Sequence, residues 1–94
     1  RPKQVTFDNV FRFLDVNKND VLLKGAEILP EPNATLLIEW DSNSFMCSLY
    51  IGETEFSYSI VPLNDLEKPL LGQASMEEEK AILEFFNRLE TVYA

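Results

Sequence analysis

The run Asp15-Val16-Asn17-Lys18-Asn19-Asp20 sets oxygen-bearing side chains at alternate positions, the spacing with which an EF-hand loop starts to wrap calcium. Such a loop also needs a glycine at its sixth position and a bidentate glutamate at its twelfth. Counting from Asp15, those places hold Asp20 and Ala26, and Glu27 falls one residue late. The sharp turn and the strongest ligand are both missing, and "GAEILPEP" supplies no exiting helix. The run is read as a polar helix end and turn, since Asn and Asp bond readily to nearby backbone.

The other side chains capable of chemistry are few. There is no histidine, which removes the usual general base and the commonest metal ligand. One cysteine, Cys47, without histidine makes neither a structural zinc site nor an internal disulfide. It is expected to be a buried thiol in a reducing, cytoplasmic setting. The three glycines lie far apart, so no phosphate-cradling loop is present. Glu53 and Glu55 form a carboxylate pair, but alternate residues of a strand commonly share a face. No enzyme activity and no cofactor are expected. Bases are sparse and unclustered, so the electrostatic footprint of a nucleic-acid binder is absent.

The charge is distributed unevenly. The formal net charge is −8, and no Lys or Arg occurs between Gly25 and Glu67. That segment holds Glu27, Glu31, Glu39, Asp41, Glu53, Glu55, Asp65 and Glu67, while acids and bases balance in the remainder. Such a field repels nucleic acid and anionic membrane and attracts basic proteins, though an acidic surface also serves solubility.

These carboxylates need elements to position them. Ninety-four residues with 46% hydrophobic content make one globular domain, 1–94, with a modest core. No run of about 20 apolar residues is present, and no signal peptide is visible in a chain that opens "RPKQ". A first helix is expected with Thr6 as its cap and Phe7, Val10, Phe11 and Leu14 as its apolar stripe. "VLLKG" adds a short turn. "AEILPEP" is an edge strand or loop, confined there by Pro30 and Pro32. Three strands follow. Leu36, Ile38 and Trp40 point one way, and so do Phe45, Cys47, Leu49 and Ile51, then Phe56, Tyr58 and Ile60. "DSNS" is a four-residue hairpin loop, and "GET" a tight turn in which Gly52 is free to take positive φ. "PLNDLEKPLLGQA" is a loop or irregular strand. "SMEE" is a capping box with Ser75 as cap and Glu78 reaching back. It opens a second helix whose stripe is Ile82, Phe85, Phe86, Leu89 and Val92 or Tyr93. The fold class is α+β: a three- to four-stranded antiparallel meander with N- and C-terminal helices packed on one face. The opposite face then carries Leu37, Glu39, Met46, Ser48, Tyr50, Ser57 and Ser59.

The order of a helix containing "VFRFLD", the segment "EILPEPNATLLIEW", a hairpin and "SLYIGETEFSYSI" resembles a loose set of small bacterial proteins over residues 7 to 60. The resemblance rests on Ile38-Glu39-Trp40 and on the Gly52 turn with Tyr58. Some such proteins stand beside toxin-like genes, so the resemblance implies an antitoxin-like or immunity role. The long "PLNDLEKPLLGQAS" connection and the terminal helix depart from it. Trp40 is read as a core anchor at a strand end.

The expectation is a non-catalytic acidic inhibitor or neutraliser that binds a basic surface of a partner protein: a toxin, a nuclease or a CRISPR effector. Antitoxins and phage-encoded anti-CRISPR proteins are of this kind. Glu39, Asp41, Glu53 and Glu55 would steer the encounter, joined by Asp65 and Glu67, and exposed Leu37, Met46 and Tyr50 would anchor it. The competing expectation is a structural or assembly subunit forming a homodimer through its sheet.

Overall fold

The computed structural model describes residues 3–17, 25–64 and 67–93. Helix α1 (Gln4–Asn17) precedes five strands, β1 (Glu27–Pro30), β2 (Leu36–Asp41), β3 (Phe45–Ile51), β4 (Glu55–Pro62) and β5 (Leu70–Ser75), and helix α2 (Glu79–Tyr93) closes the chain. The strands form one antiparallel sheet in the order β1-β2-β3-β4-β5. Both helices lie on one face of it, where Phe13, Phe85 and Phe86 join the inward residues of the strands in a single core. The α+β class and the terminal helices agree with the sequence. The strand number does not, because "EILP" and "LLGQAS" both pair into the sheet.

The three central strands follow their alternation. Trp40 pairs with Cys47 and Leu49 with Tyr58, so each apolar set meets the next across the ladder. Their connections are tight. Ser42 N donates to Phe45 O at 2.9 Å, and Ser42 Oγ accepts from the amides of Ser44 and Phe45. The expected four-residue loop is therefore a two-residue turn at Asn43 and Ser44. Gly52 N donates to Glu55 O at 2.9 Å, with Glu53 and Thr54 at the tip. Gly52 does not take positive φ; among the described residues, Gly25 and Ala34 do.

Aromatic rings organise the core. Phe85 is their centre, with ring centroids 4.8 Å from Tyr58, 5.1 Å from Phe86, 5.4 Å from Phe13 and 6.3 Å from Trp40. All four pairs are edge-on, the arrangement that aromatic quadrupoles favour. Trp40 is thus a core anchor. Its Nε1 has no hydrogen-bond partner among the described residues.

Helix α1 is rotated from its expected stripe. Thr6, Asn9, Val10 and Phe13 are buried, whereas Phe7 is 41% and Phe11 68% exposed. Thr6 is no cap: the helix begins two residues earlier, and Thr6 N donates to Lys3 O. Helix α2 buries Ile82, Phe85, Phe86 and Leu89 as expected, while the side chains of Val92 and Tyr93 lie outside the description. Its start is shifted. Ser75 ends β5, with its Oγ accepting from Glu77 N, and Glu78 O accepts the first helical amides, from Ala81 and Ile82. Arg88 ties α2 to the sheet edge: its Nη1 donates to Tyr58 Oη and to Leu71 O, both at 3.2 Å, while Nη2 meets Glu84 at 3.1 Å.

Candidate functional site

The face of the sheet turned away from the helices is organised in rows fixed by the strand register. Leu29, Leu37, Tyr50, Ser57 and Gln73 form one row, and Glu27, Glu39, Ser48, Ser59 and Leu71 the next. Asp41, Met46 and Val61 form the last, at the β2–β3 turn. No lysine or arginine occurs in any of the five strands.

The expected acids are on or beside this face but not in one cluster. Glu39 and Asp41 stand at the β2–β3 end, and the register adds Glu27 directly opposite Glu39. Two like charges in a directly opposed pair are destabilising, and no cation among the described residues relieves them. Together with Met46 and Ser48 they line a depression of about 260 Å³. Glu53 and Glu55 belong to the opposite, β3–β4 end, about 20 Å away for six residues of extended strand. Glu53 is partly neutralised, with Lys3 Nζ at 3.8 Å, though an exposed pair of this kind contributes little. Glu55 Oε2 accepts from Gln73 Nε2 at 2.8 Å. Asp65 lies outside the described residues, and Glu67 is exposed in the connection before β5.

The apolar anchors divide similarly. Met46 is 52% exposed and Tyr50 37%. Leu37 is buried at 7%, which corrects its assignment as an exposed anchor. Its row neighbours are Leu29 and Tyr50, and large side chains on both flanks shield it although neither α1 nor α2 covers the face. Val61 and Leu71 are exposed on the same face and take its place.

A second depression, of about 290 Å³, lies at the β3–β4 end and is lined by Asn33, Thr35, Tyr50, Glu55, Ser57 and Gln73, with the turn from Gly52 to Thr54. Its rim is held from beneath. Asn9 Nδ2 donates to Gly52 O at 2.8 Å and to Glu53 O at 2.9 Å, and Thr6 Oγ1 donates to Ala34 O at 3.4 Å. Ala34 sits at φ 66°, an uncommon conformation for a residue with a side chain. Thr6 and Asn9 are the buried polar residues among those described, and both hold turns that border this depression. From sequence Thr6 reads as a cap and Asn9 is not singled out, although Thr6, Asn9, Val10 and Phe13 have the i, i+3, i+4, i+7 spacing of a buried stripe.

Burial pushes the Cys47 thiol up to about 12. Tyr58 is raised by burial, with Arg88 opposing the shift. No group of three or more potential ligands able to hold a metal occurs among the described residues. Asp15 is exposed on α1, and Lys18, Asn19 and Asp20, with "VLL" beyond them, lie outside the description. Among the described residues no helix is long and apolar enough to cross a membrane. No protein-family model, curated protein or solved structure matches this chain.

Proposed function

We propose that this protein is a non-catalytic inhibitor or neutraliser that binds a basic surface of a partner protein through the uncovered face of its sheet. An antitoxin or a phage-encoded anti-CRISPR protein would be an inhibitor of this kind. One observation carries the reading: the face turned away from α1 and α2 presents Glu27, Glu39, Asp41 and Glu55 with no lysine or arginine in any of the five strands. The carboxylates stand in for phosphates before a nuclease or an RNA-guided effector. Their field speeds encounter more than it fixes final affinity. Met46, Tyr50, Val61 and Leu71, exposed between and beside the acids, supply the desolvated contacts that hold the complex.

The competing reading is a homodimer through the same face. An isologous contact is self-complementary, each patch meeting its own copy. Here it would bring together two faces whose strands carry no lysine or arginine and add like-charge repulsion. A monomer is therefore expected in sedimentation.

The test is the association rate with a basic nuclease, measured by stopped flow over a salt series. The rate should fall steeply with salt, and Asp41→Lys should slow it about tenfold at low salt. Salt-independent association, or an Asp41→Lys protein as fast as the parent, would overturn the reading.

A further inference from the structure

The two depressions of the open face differ in construction. The one at Glu39 and Asp41 is lined by residues of β1, β2 and β3 and by Gly25. The one at Tyr50 and Glu55 has both of its bordering turns fixed by the buried side chains of Thr6 and Asn9. A rim held in place before binding loses less freedom on complex formation. At about 290 Å³ it lies at the small end of ligand pockets, a size for one side chain rather than a whole small molecule.

Its lining specifies which side chain. Tyr50, 37% exposed as a residue, stands in its wall. The Glu55 carboxylate is oriented by Gln73 Nε2, which leaves Oε1 of Glu55 and the amide oxygen of Gln73 as acceptors. Thr35 and Ser57 add hydroxyls. A carboxylate, neutral acceptors and an aromatic face together match a flat cation with several donors. A guanidinium stacks on an aromatic ring and bonds a carboxylate through its fork; an ammonium is a point charge and does neither as well.

We infer that this depression is the anchor for one arginine side chain of the basic partner, its guanidinium lying on Tyr50 and bonded to Glu55. This rests on the reading of the open face as a surface for basic proteins and adds where that surface is selective. The Glu27, Glu39 and Asp41 end then acts through its field, and the Tyr50 and Glu55 end through fit.

Capped arginine (N-acetyl-arginine N-methylamide), its lysine analogue and its neutral citrulline analogue test the inference by amide NMR titration. Capped arginine should bind in the millimolar range and shift the amides of Tyr50, Gly52, Glu55, Ser57 and Gln73. The lysine analogue should bind several-fold more weakly and the citrulline analogue about tenfold more weakly. Glu55→Gln should weaken arginine binding about fivefold, with Glu90→Gln, an exposed position on α2, within about twofold of the parent. Asn9→Ala, which leaves every charge in place, should also weaken it. Equal binding of the citrulline analogue, no shifts, or shifts centred on Glu39 and Asp41 would overturn the inference. Octa-arginine separates the two ideas. If it binds in a salt-dependent way and ignores Glu55→Gln, the anchor falls and the wider reading stands; if it does not bind at low salt, both fall.

Discussion

The ring of Tyr58 lies directly over Gly72 on the neighbouring strand. A Cβ built at Gly72 would sit 2.5 Å from Tyr58 Oη, closer than real side-chain atoms approach. The two residues are register partners across β4 and β5, so the tyrosine covers backbone that a side chain would otherwise occupy. From there its hydroxyl accepts from Arg88.

Gly72→Ala should therefore cost stability although it removes no side chain of the parent. Displacing Tyr58 disturbs its packing against Phe85 and its bond to Arg88 together. A loss of about 2 kcal/mol is expected in urea denaturation, within the usual cost of overpacking. Tyr58→Leu in the same chain should recover part of it, because the obstructing ring is gone. An additive double mutant would count against the steric account.

Phe85→Ala should cost about 3–5 kcal/mol, since it removes the ring that meets Phe13, Tyr58, Phe86 and Trp40. That is a large share of the ~5–15 kcal/mol by which domains are stable. Phe11→Ser, at a position 68% exposed, should change stability by no more than about 0.5 kcal/mol. Thermal melts of the pair decide which face of α1 is inside. A large loss in Phe11→Ser would contradict the orientation described above.

Asn9→Ala should cost about 1–3 kcal/mol by leaving the carbonyls of Gly52 and Glu53 without their donor. Hydrogen exchange should quicken at the β3–β4 turn and leave the β2–β3 turn unchanged. Uniform quickening across the sheet would mean that Asn9 supports the whole domain and not one turn.

Alkali should weaken the fold through Cys47. Its thiol is raised from 9.0 to about 12 by burial, so the folded protein keeps a proton that the unfolded chain releases. Below 9.0 both states are protonated and the contribution is constant. Above it, stability falls by about 1.4 kcal/mol per pH unit until the folded thiol ionises. Tyr58, also raised by burial, adds a loss of the same sign above its own ordinary value. In Cys47→Ala the cysteine part disappears, so the stability gap between the two proteins should narrow as pH rises. A gap that stays constant through this range would refute the assignment.

The central strands were legible because half of each is buried and half is not: Phe45, Cys47, Leu49 and Ile51 alternate with Met46, Ser48 and Tyr50. The outer strands lacked that signal for separate reasons. All four residues of β1 are exposed, so no burial pattern was written into it. In β5 the inward positions are Leu70, Gly72 and Ala74, two of them small, and at Gly72 the ring of Tyr58 takes the space. Helix α1 offered two competing stripes through Val10, and the more apolar one, with Phe7 and Phe11, is the outer one. Thr6 and Asn9 won the inner position because the turns they hold need donors, a demand set by distant backbone. The acidic segment was legible as composition, but its division between two ends of the sheet depends on register, which residue types alone do not specify.

The bond from Arg88 to Leu71 has a consequence for how the molecules behave at high concentration. The carbonyl of an outermost strand is a template on which a stray chain can begin a fibril, and strand β5 carries exposed Leu71 beside it. With a guanidinium already seated on that oxygen, an incoming strand must first displace a cation held by Glu84 and Tyr58. The same arginine that fastens the last helix thus occupies one hydrogen-bonding position on the β5 edge.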